Sequence, residues 1–157
     1  MNKLILVRHG ECGDDQHLND VGRAQMHSLS EQLRPHIDQA RVLILSSTII
    51  RARQSAEILG TAFGVEIEEA DVLRSEDPLL KNLPEVHKLI QSREDDADVI
   101  ILVTHFEYAT YFPGYFSRNA LEIEVRWYPI EVGMSEAVII DCTTKTRKLI
   151  GPGEVAV

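Results

Sequence analysis

The stretch Leu4-Ile5-Leu6-Val7-Arg8-His9-Gly10-Glu11 decides the fold, because it joins a run of aliphatic residues directly to chemically active side chains. Four aliphatic residues in a row are typical of an interior strand of a parallel sheet, which is covered on both faces. Ligands of open α/β sheets collect beyond the carboxyl ends of the strands. An arginine, a histidine and a conformationally permissive glycine at this end therefore predict an anion site, with Gly10 among the residues that contact the anion.

Two further aliphatic runs predict buried strands beside the first one. Residues 41–45 end at the polar run Ser46-Ser47-Thr48, and residues 99–103 end at Thr104-His105. If all of these strands are parallel, their carboxyl ends lie at the same edge of the sheet.

Amphipathic helices are predicted between the strands. One begins at Asn19, a favourable N-cap, and is expected to end at Pro35 because proline lacks the backbone donor that continues a helix. Ser46-Ser47-Thr48 is expected to cap a second helix, and Gly64 is placed to end it. A third helix is expected to begin near Pro84.

The last part of the chain predicts a mixture of short elements. The aromatic run 108–116 contains Pro113-Gly114 and predicts a short helix followed by a turn. Residues 137–140 and 148–150 predict a closing hairpin. An edge strand is predicted by the alternation of Leu121, Ile123, Val125 and Trp127 with charged residues. Together these elements predict an α/β fold, a single three-layer α/β/α domain over residues 1–157 with a mostly parallel central sheet.

Composition and charge restrict the possible partners. The chain has 157 residues and a formal net charge of −9, and it lacks the basic stripe that a nucleic-acid partner needs. No apolar run is long enough for a membrane span, and Met1-Asn2-Lys3 leads directly into a strand, so we expect a cytoplasmic protein that does not bind membranes. The two cysteines, Cys12 and Cys142, are expected to be free thiols.

Four cationic or hydrogen-bonding side chains follow the predicted strands. Arg8 and His9 follow the first strand, Arg51 lies one helical turn beyond the second, and His105 follows the third. A metal site is the competing interpretation, but two histidines combined with two arginines form a poor site for a cation. The pattern therefore favours a phosphoryl group as ligand and predicts neither a metal nor another cofactor.

These residues lie in segments that resemble the histidine phosphatase superfamily, which includes phosphoglycerate-mutase-like enzymes. Residues 6–11 are similar to its opening motif, and residues 103–105 to the motif of its second histidine. Residues 18–25 resemble the following loop and helix, with Asn19 at a substrate-binding position where threonine is more usual. Residues 47–56 resemble the segment of the second arginine, with Thr48 in place of a frequent proline. The resemblance implies a phosphoglycerate-mutase-like fold.

The resemblance also implies a mechanism and a role for each residue. His9 would attack phosphorus and become a phosphohistidine, while Arg8, Arg51 and His105 would hold the phosphoryl oxygens. Glu76 is the candidate for the general acid, with Asp77 and Glu107 as alternatives. For Glu107 the other interpretations are an orientation towards solvent and a position at the pocket rim, where it would repel anionic substrates.

The shortness of the chain resembles the compact SixA-like branch, which acts on protein phosphohistidine. An open pocket would admit a side chain presented by another protein, so the expected partner is a phosphorylated protein or a small phosphorylated substrate. Two alternatives remain at this point: a phosphomonoesterase for small molecules, and a catalytically silent module that binds phosphorylated ligands.

Overall fold

Six strands form one sheet in the computed structural model, which describes residues 1–75, 82–124 and 127–152. The strands are β1 (Lys3–Arg8), β2 (Val42–Ser46), β3 (Ile67–Glu69), β4 (Val99–Thr104), β5 (Ala137–Asp141) and β6 (Thr146–Ile150). Their order across the sheet is β3-β2-β4-β1-β5-β6. The first four of these are parallel, β5 runs antiparallel to β1, and β6 runs antiparallel to β5. The predicted closing hairpin is confirmed.

Strand β4 lies between β1 and β2, and all six of its residues are buried. The pairing places Arg8 opposite Thr104 and Ser46 opposite Val103. The carboxyl ends of the three central strands therefore lie at the same level, and the polar residues that follow them meet at a single edge of the sheet.

Helices cover both faces of the sheet. They are α1 (Asp20–Ile37), α2 (Ile50–Phe63), α3 (Leu83–Arg93) and α4 (Phe106–Asn119). Ile5 and Val7 pack with α1 and α2, whereas the alternate residues Leu4 and Leu6 pack with α3 and α4. This confirms the predicted three-layer α/β/α arrangement and explains the unbroken aliphatic strands, since each face of a strand meets a helix layer.

The predicted stops at the two helix prolines are wrong. Helix α1 continues through Pro35 to the buried Ile37, and α4 continues through Pro113 to Asn119. An interior proline costs a helix roughly 3 kcal/mol. In α4 this cost is offset because Phe112 and Phe116, on either side of the proline, are buried in the core, each worth about 1.5–3 kcal/mol.

The predicted edge strand is wrong for the residues that the structure describes. Leu121, Ile123 and Trp127 belong to no strand, and Val125 lies outside the described residues. Glu122 has φ 54°, which breaks the extended backbone that alternation requires. Leu121 and Ile123 instead pack on the core beside α4, which shows that their apolar character reflects burial under a helix rather than a sheet face.

Across the described ranges, no helix combines the length and the apolar character needed to cross a bilayer.

Candidate active site

The turn that follows β1 fixes the protonation pattern of His9. The side chain is only 6% exposed, and its Nδ1 lies 2.8 Å from the carbonyl oxygen of Gly10. Because a carbonyl oxygen only accepts hydrogen bonds, Nδ1 carries the proton of the neutral ring and Nε2 keeps its lone pair. Arg51 donates from Nε to this same Nε2 over 3.2 Å. The lone pair of Nε2 therefore points towards the guanidinium of Arg51.

Burial lowers the pKa of His9 from its ordinary value of 6.5 to about 4. The positive charges of Arg51 and Arg8 act in the same direction, whereas the hydrogen bond to Gly10 opposes them. His9 is therefore neutral at pH 7. A buried neutral imidazole with one fixed N–H and one unprotonated nitrogen is suited to nucleophilic attack.

Gly10 permits a close approach between this turn and α1. A Cβ atom at Gly10 would lie 2.9 Å from the carbonyl oxygen of Gly22 and 3.1 Å from Cγ of Met26. Its N–H donates to Oγ of Ser55 over 2.9 Å, and that hydroxyl donates to the carbonyl of Arg51 over 2.8 Å. The structure thus places the Gly10 N–H on a protein acceptor, and through it links the turn to the helix that carries Arg51.

Both arginines of the site donate to neutral acceptors. Arg8 donates from Nη1 to the carbonyl of Val132 over 3.0 Å, and its guanidinium lies 5.2 Å from the centroid of the Phe106 ring. Arg51 donates from Nη1 to the side chain of Gln16 over 3.0 Å. Within the described part of the chain, neither guanidinium is paired with a carboxylate. Two positive charges therefore remain available to an anion.

His105 faces His9 from the end of β4. The two ring centroids are 5.3 Å apart, and His105 is only 4% exposed. Burial, followed by the charges of His9 and Arg51, lowers the pKa of His105 to about 3. His105 is consequently neutral at pH 7 and offers a hydrogen bond without adding a full charge.

Ser47 orients His105 instead of capping a helix with a side-chain bond. Its Oγ lies 2.8 Å from Nε2 of His105 and also accepts from the N–H of Ile49 over 3.2 Å. The N-cap of α2 is Ile49, which makes no side-chain cap bond, so the predicted cap at 46–48 is wrong. The physical reason is that the buried imidazole uses the hydroxyl nearest to it.

Two more charges act at the site: Arg74, from the segment before residues 76–81, and Glu107, from the first turn of α4. Arg74 lowers the pKa of His105, and Glu107 raises that of His9. The carboxylate of Glu107 accepts a hydrogen bond from the hydroxyl of Ser75. Glu107 therefore lies at the pocket rim. Glu76 and Asp77, the candidates for the general acid, lie outside the described residues.

Asn19 lies beside the turn that carries His9, and both polar atoms of its side chain form hydrogen bonds within the protein. Oδ1 accepts from the N–H of Gly22 over 2.8 Å, which is the N-cap bond of α1, and Nδ2 donates to Glu11 over 3.1 Å. Gln16, from the preceding loop, is the residue that contacts Arg51.

The structure therefore brings Arg8, His9, Arg51 and His105 together at one edge of the sheet, as their positions after the strands predicted. Sequence reasoning missed a set of residues that hold or supplement these four: Gln16, Ser47, Ser55, Arg74, Ser75 and the carbonyl of Val132. Ser47 could have been found from its place directly after β2. Val132 could not, because it acts through its backbone. The described residues contain no group of three or more side chains suited to a metal ion.

The sequence matches the family model of the histidine phosphatase superfamily (branch 1) over residues 4–77. Among curated proteins, the inner capsid protein VP1 of Bombyx mori cytoplasmic polyhedrosis virus is 28% identical over 99 residues. The aligned region is 54% of this chain and 7% of that protein, so the chain spans a small fraction of the length of the curated relative it matches.

Solved structures of phosphatases have the same fold. The protein histidine phosphatase SixA complexed with tungstate superimposes with a TM-score of 0.71 at 16% identity, over 96% of this chain and 97% of that one. A mycobacterial glucosyl-3-phosphoglycerate phosphatase gives a TM-score of 0.67 at 17% identity, over 99% and 100% of the chains. A putative SixA from Agrobacterium tumefaciens gives 0.63 at 20% identity, over 95% of each chain.

Proposed function

We propose that the chain is a member of the histidine phosphatase superfamily, whose family model matches residues 4–77, and that it hydrolyses phosphorylated substrates through a covalent phosphohistidine on His9. The observation that carries this proposal is the environment of Nε2. It is the unprotonated nitrogen of a neutral imidazole, and it faces Arg51, a cation that no carboxylate of the described chain neutralises.

In the proposed first step, the lone pair of Nε2 forms a bond to phosphorus while the bond from phosphorus to the leaving group breaks. The guanidinium groups of Arg8 and Arg51 bind the non-bridging oxygens, and His105 donates a further hydrogen bond. The Gly10 carbonyl keeps its bond to Nδ1–H and stabilises the positive ring that forms. In the second step, water attacks phosphorus and the bond to Nε2 breaks, which releases phosphate and the neutral imidazole.

The leaving group needs a proton when it is an alkoxide, and we propose Glu76 for this role, with Asp77 as its alternative. Glu107 is less suited to this role, because its carboxylate is already engaged by the hydroxyl of Ser75. The guanidinium groups neutralise charge that a metal ion would otherwise have to neutralise, so we propose that the reaction is metal-independent.

Protein phosphohistidine is the proposed substrate. The similarity to SixA structures supports it, and a phosphoramidate demands less of a general acid than an alkyl phosphate does. The second candidate is a small phosphomonoester, which the similarity to a glucosyl-3-phosphoglycerate phosphatase supports. The free thiols of Cys12 and Cys142 favour a reducing compartment, and we propose the cytoplasm.

The test is to trap the phosphoenzyme. We expect a labelled phosphohistidine protein to transfer label to the enzyme in the presence of EDTA, and the label to survive alkaline but not acidic quenching. His9→Ala should abolish labelling, whereas His27→Ala, which replaces an exposed histidine on α1, should not. Label retained by His9→Ala would refute the assignment, and loss of labelling in EDTA would refute metal independence. Faster labelling by phosphoglycerate would favour the second candidate.

A further inference from the structure

A carboxylate lies beside the cationic side chains of the site. Glu107 lies in the first turn of α4, two residues after His105, and it is only partly exposed. Its negative charge reaches the nucleophile, since it raises the pKa of His9 against the effect of the two arginines. Yet it does not pair with Arg8, whose guanidinium lies instead over the neighbouring Phe106 ring.

One hydrogen bond holds this carboxylate, and a second one anchors the segment that donates the first. The hydroxyl of Ser75 donates to Oε2 of Glu107. The segment that contains Ser75 is itself attached to β4, because Oγ1 of Thr104 donates to the carbonyl of Leu73 over 2.7 Å in the buried interior. Together these two bonds connect the Glu107 carboxylate to the end of β4, next to His105.

Other carboxylates, on segments that contact the site, are negatively charged like Glu107. Asp14 and Asp15 are exposed in the loop whose Gln16 contacts Arg51. Asp71 accepts from the hydroxyl of Thr48, next to Ser47, over 3.0 Å. Segments that contact the site therefore carry further acidic groups besides Glu107.

We propose that Glu107 determines substrate specificity: it selects phosphoryl groups that have a positive charge beside them and disfavours substrates with a second anionic group. The phosphoryl group itself binds Arg8 and Arg51, but a neighbouring carboxylate would face Glu107 and be repelled. The substrate class that fits is a phosphorylated protein side chain flanked by lysine or arginine. This inference rests on the proposed function of the same site.

The test uses two phosphohistidine peptides that differ only in a lysine or a glutamate next to the phosphorylated residue. The wild type should have the higher kcat/KM for the lysine peptide, by about threefold to tenfold, the size expected for a partly exposed charge pair. Glu107→Gln should reduce this ratio towards one, and Glu107→Lys should invert it. Raising the salt concentration should reduce the wild-type ratio. Glu85→Gln, which removes an exposed carboxylate on α3, should leave the ratio unchanged.

Ser75→Ala provides a second, milder variant, because it releases the carboxylate without removing it and should lower the ratio partway. An unchanged ratio in both Glu107→Gln and Ser75→Ala would overturn the proposal. Phosphoenzyme formation on His9 is measured in the same preparations. Labelled His9 with an unchanged ratio contradicts the specificity role alone, whereas absence of any phosphoenzyme in the wild type contradicts the proposed function.

Discussion

Arginine has opposite roles at the two ends of the sheet. At the amino end, Arg41 before β2 binds Asp98 before β4 through its backbone N–H and its guanidinium, with a closest ion-pair distance of 3.2 Å. These bonds lower the pKa of Asp98. At the carboxyl end, Arg8 and Arg51 donate to a carbonyl, an amide oxygen and an imidazole.

The difference shows how a protein distinguishes a structural cation from a functional one. The charge of Arg41 is neutralised by Asp98 at the protein surface, where an ion pair adds little stability. The charges at the carboxyl end are placed beside buried neutral histidines, and no carboxylate of the described residues forms an ion pair with Arg8 or Arg51.

The largest expected effect follows from replacing one arginine at each end. Arg51→Ala removes a donor to the transferring phosphoryl group and should lower kcat/KM by about 10²–10³-fold. Arg41→Ala should leave kcat/KM within about twofold and should hardly change the free energy of unfolding, because its ion pair with Asp98 is exposed. Steady-state kinetics and urea unfolding of both variants check this. Comparable activity losses in both variants would contradict the division between the two ends.

The second effect is the contribution of the two histidines at the carboxyl end to the pH dependence of stability. The pKa values of His9 and His105 fall to about 4 and 3 on folding, so between these values and about 6.5 the unfolded chain binds more protons than the folded one. The stabilisation is complete above pH 6.5 and is lost as the pH falls. At pH 5 each histidine should lower the free energy of unfolding by about 2 kcal/mol relative to pH 7.

Urea unfolding at pH 7 and pH 5 measures this effect. His105→Asn should reduce the difference between the two pH values by about 2 kcal/mol, because the substituted side chain binds no proton. Arg41→Ala should leave the difference as it is, since the lowered pKa of Asp98 keeps that carboxylate ionised over the whole interval. A pH difference that His105→Asn does not reduce would show that the imidazole is protonated in the folded protein.

The smallest expected change in activity concerns Ser47, whose hydroxyl orients His105. Ser47→Ala leaves a nitrogen of a buried imidazole without its partner and should destabilise the protein by about 1–3 kcal/mol, with a reduction in kcat. Ser92→Ala removes an exposed hydroxyl bonded to the carbonyl of Leu89 and should have no effect on kcat. If the two variants have equal kcat, Ser47 does not position His105 for the reaction.

The sequence predicted the site better than it predicted the helix ends, for a physical reason. Arg8, His9 and His105 follow buried strands, and parallel strands bring their carboxyl ends together whatever the helices do. Helix α4 passes through Pro113 because the burial of its aromatic residues outweighs a local preference. The carbonyl of Val132 reaches Arg8 across 124 residues of chain, and no property of a valine side chain indicates that contact.

The hydrogen bonds among His9, Gly10, Ser55 and Arg51 form a closed ring, in which two bonds join the turn after β1 to α2, more than 40 positions away in the chain. This ring couples the position of α2 to the position of the turn after β1. If α2 separates from the sheet, Arg51 and Ser55 leave together, and His9 loses its cationic partner at the same moment as its turn loses its anchor. Separation of α2 from the sheet therefore removes the arginine and the anchor of the turn from His9 in one step.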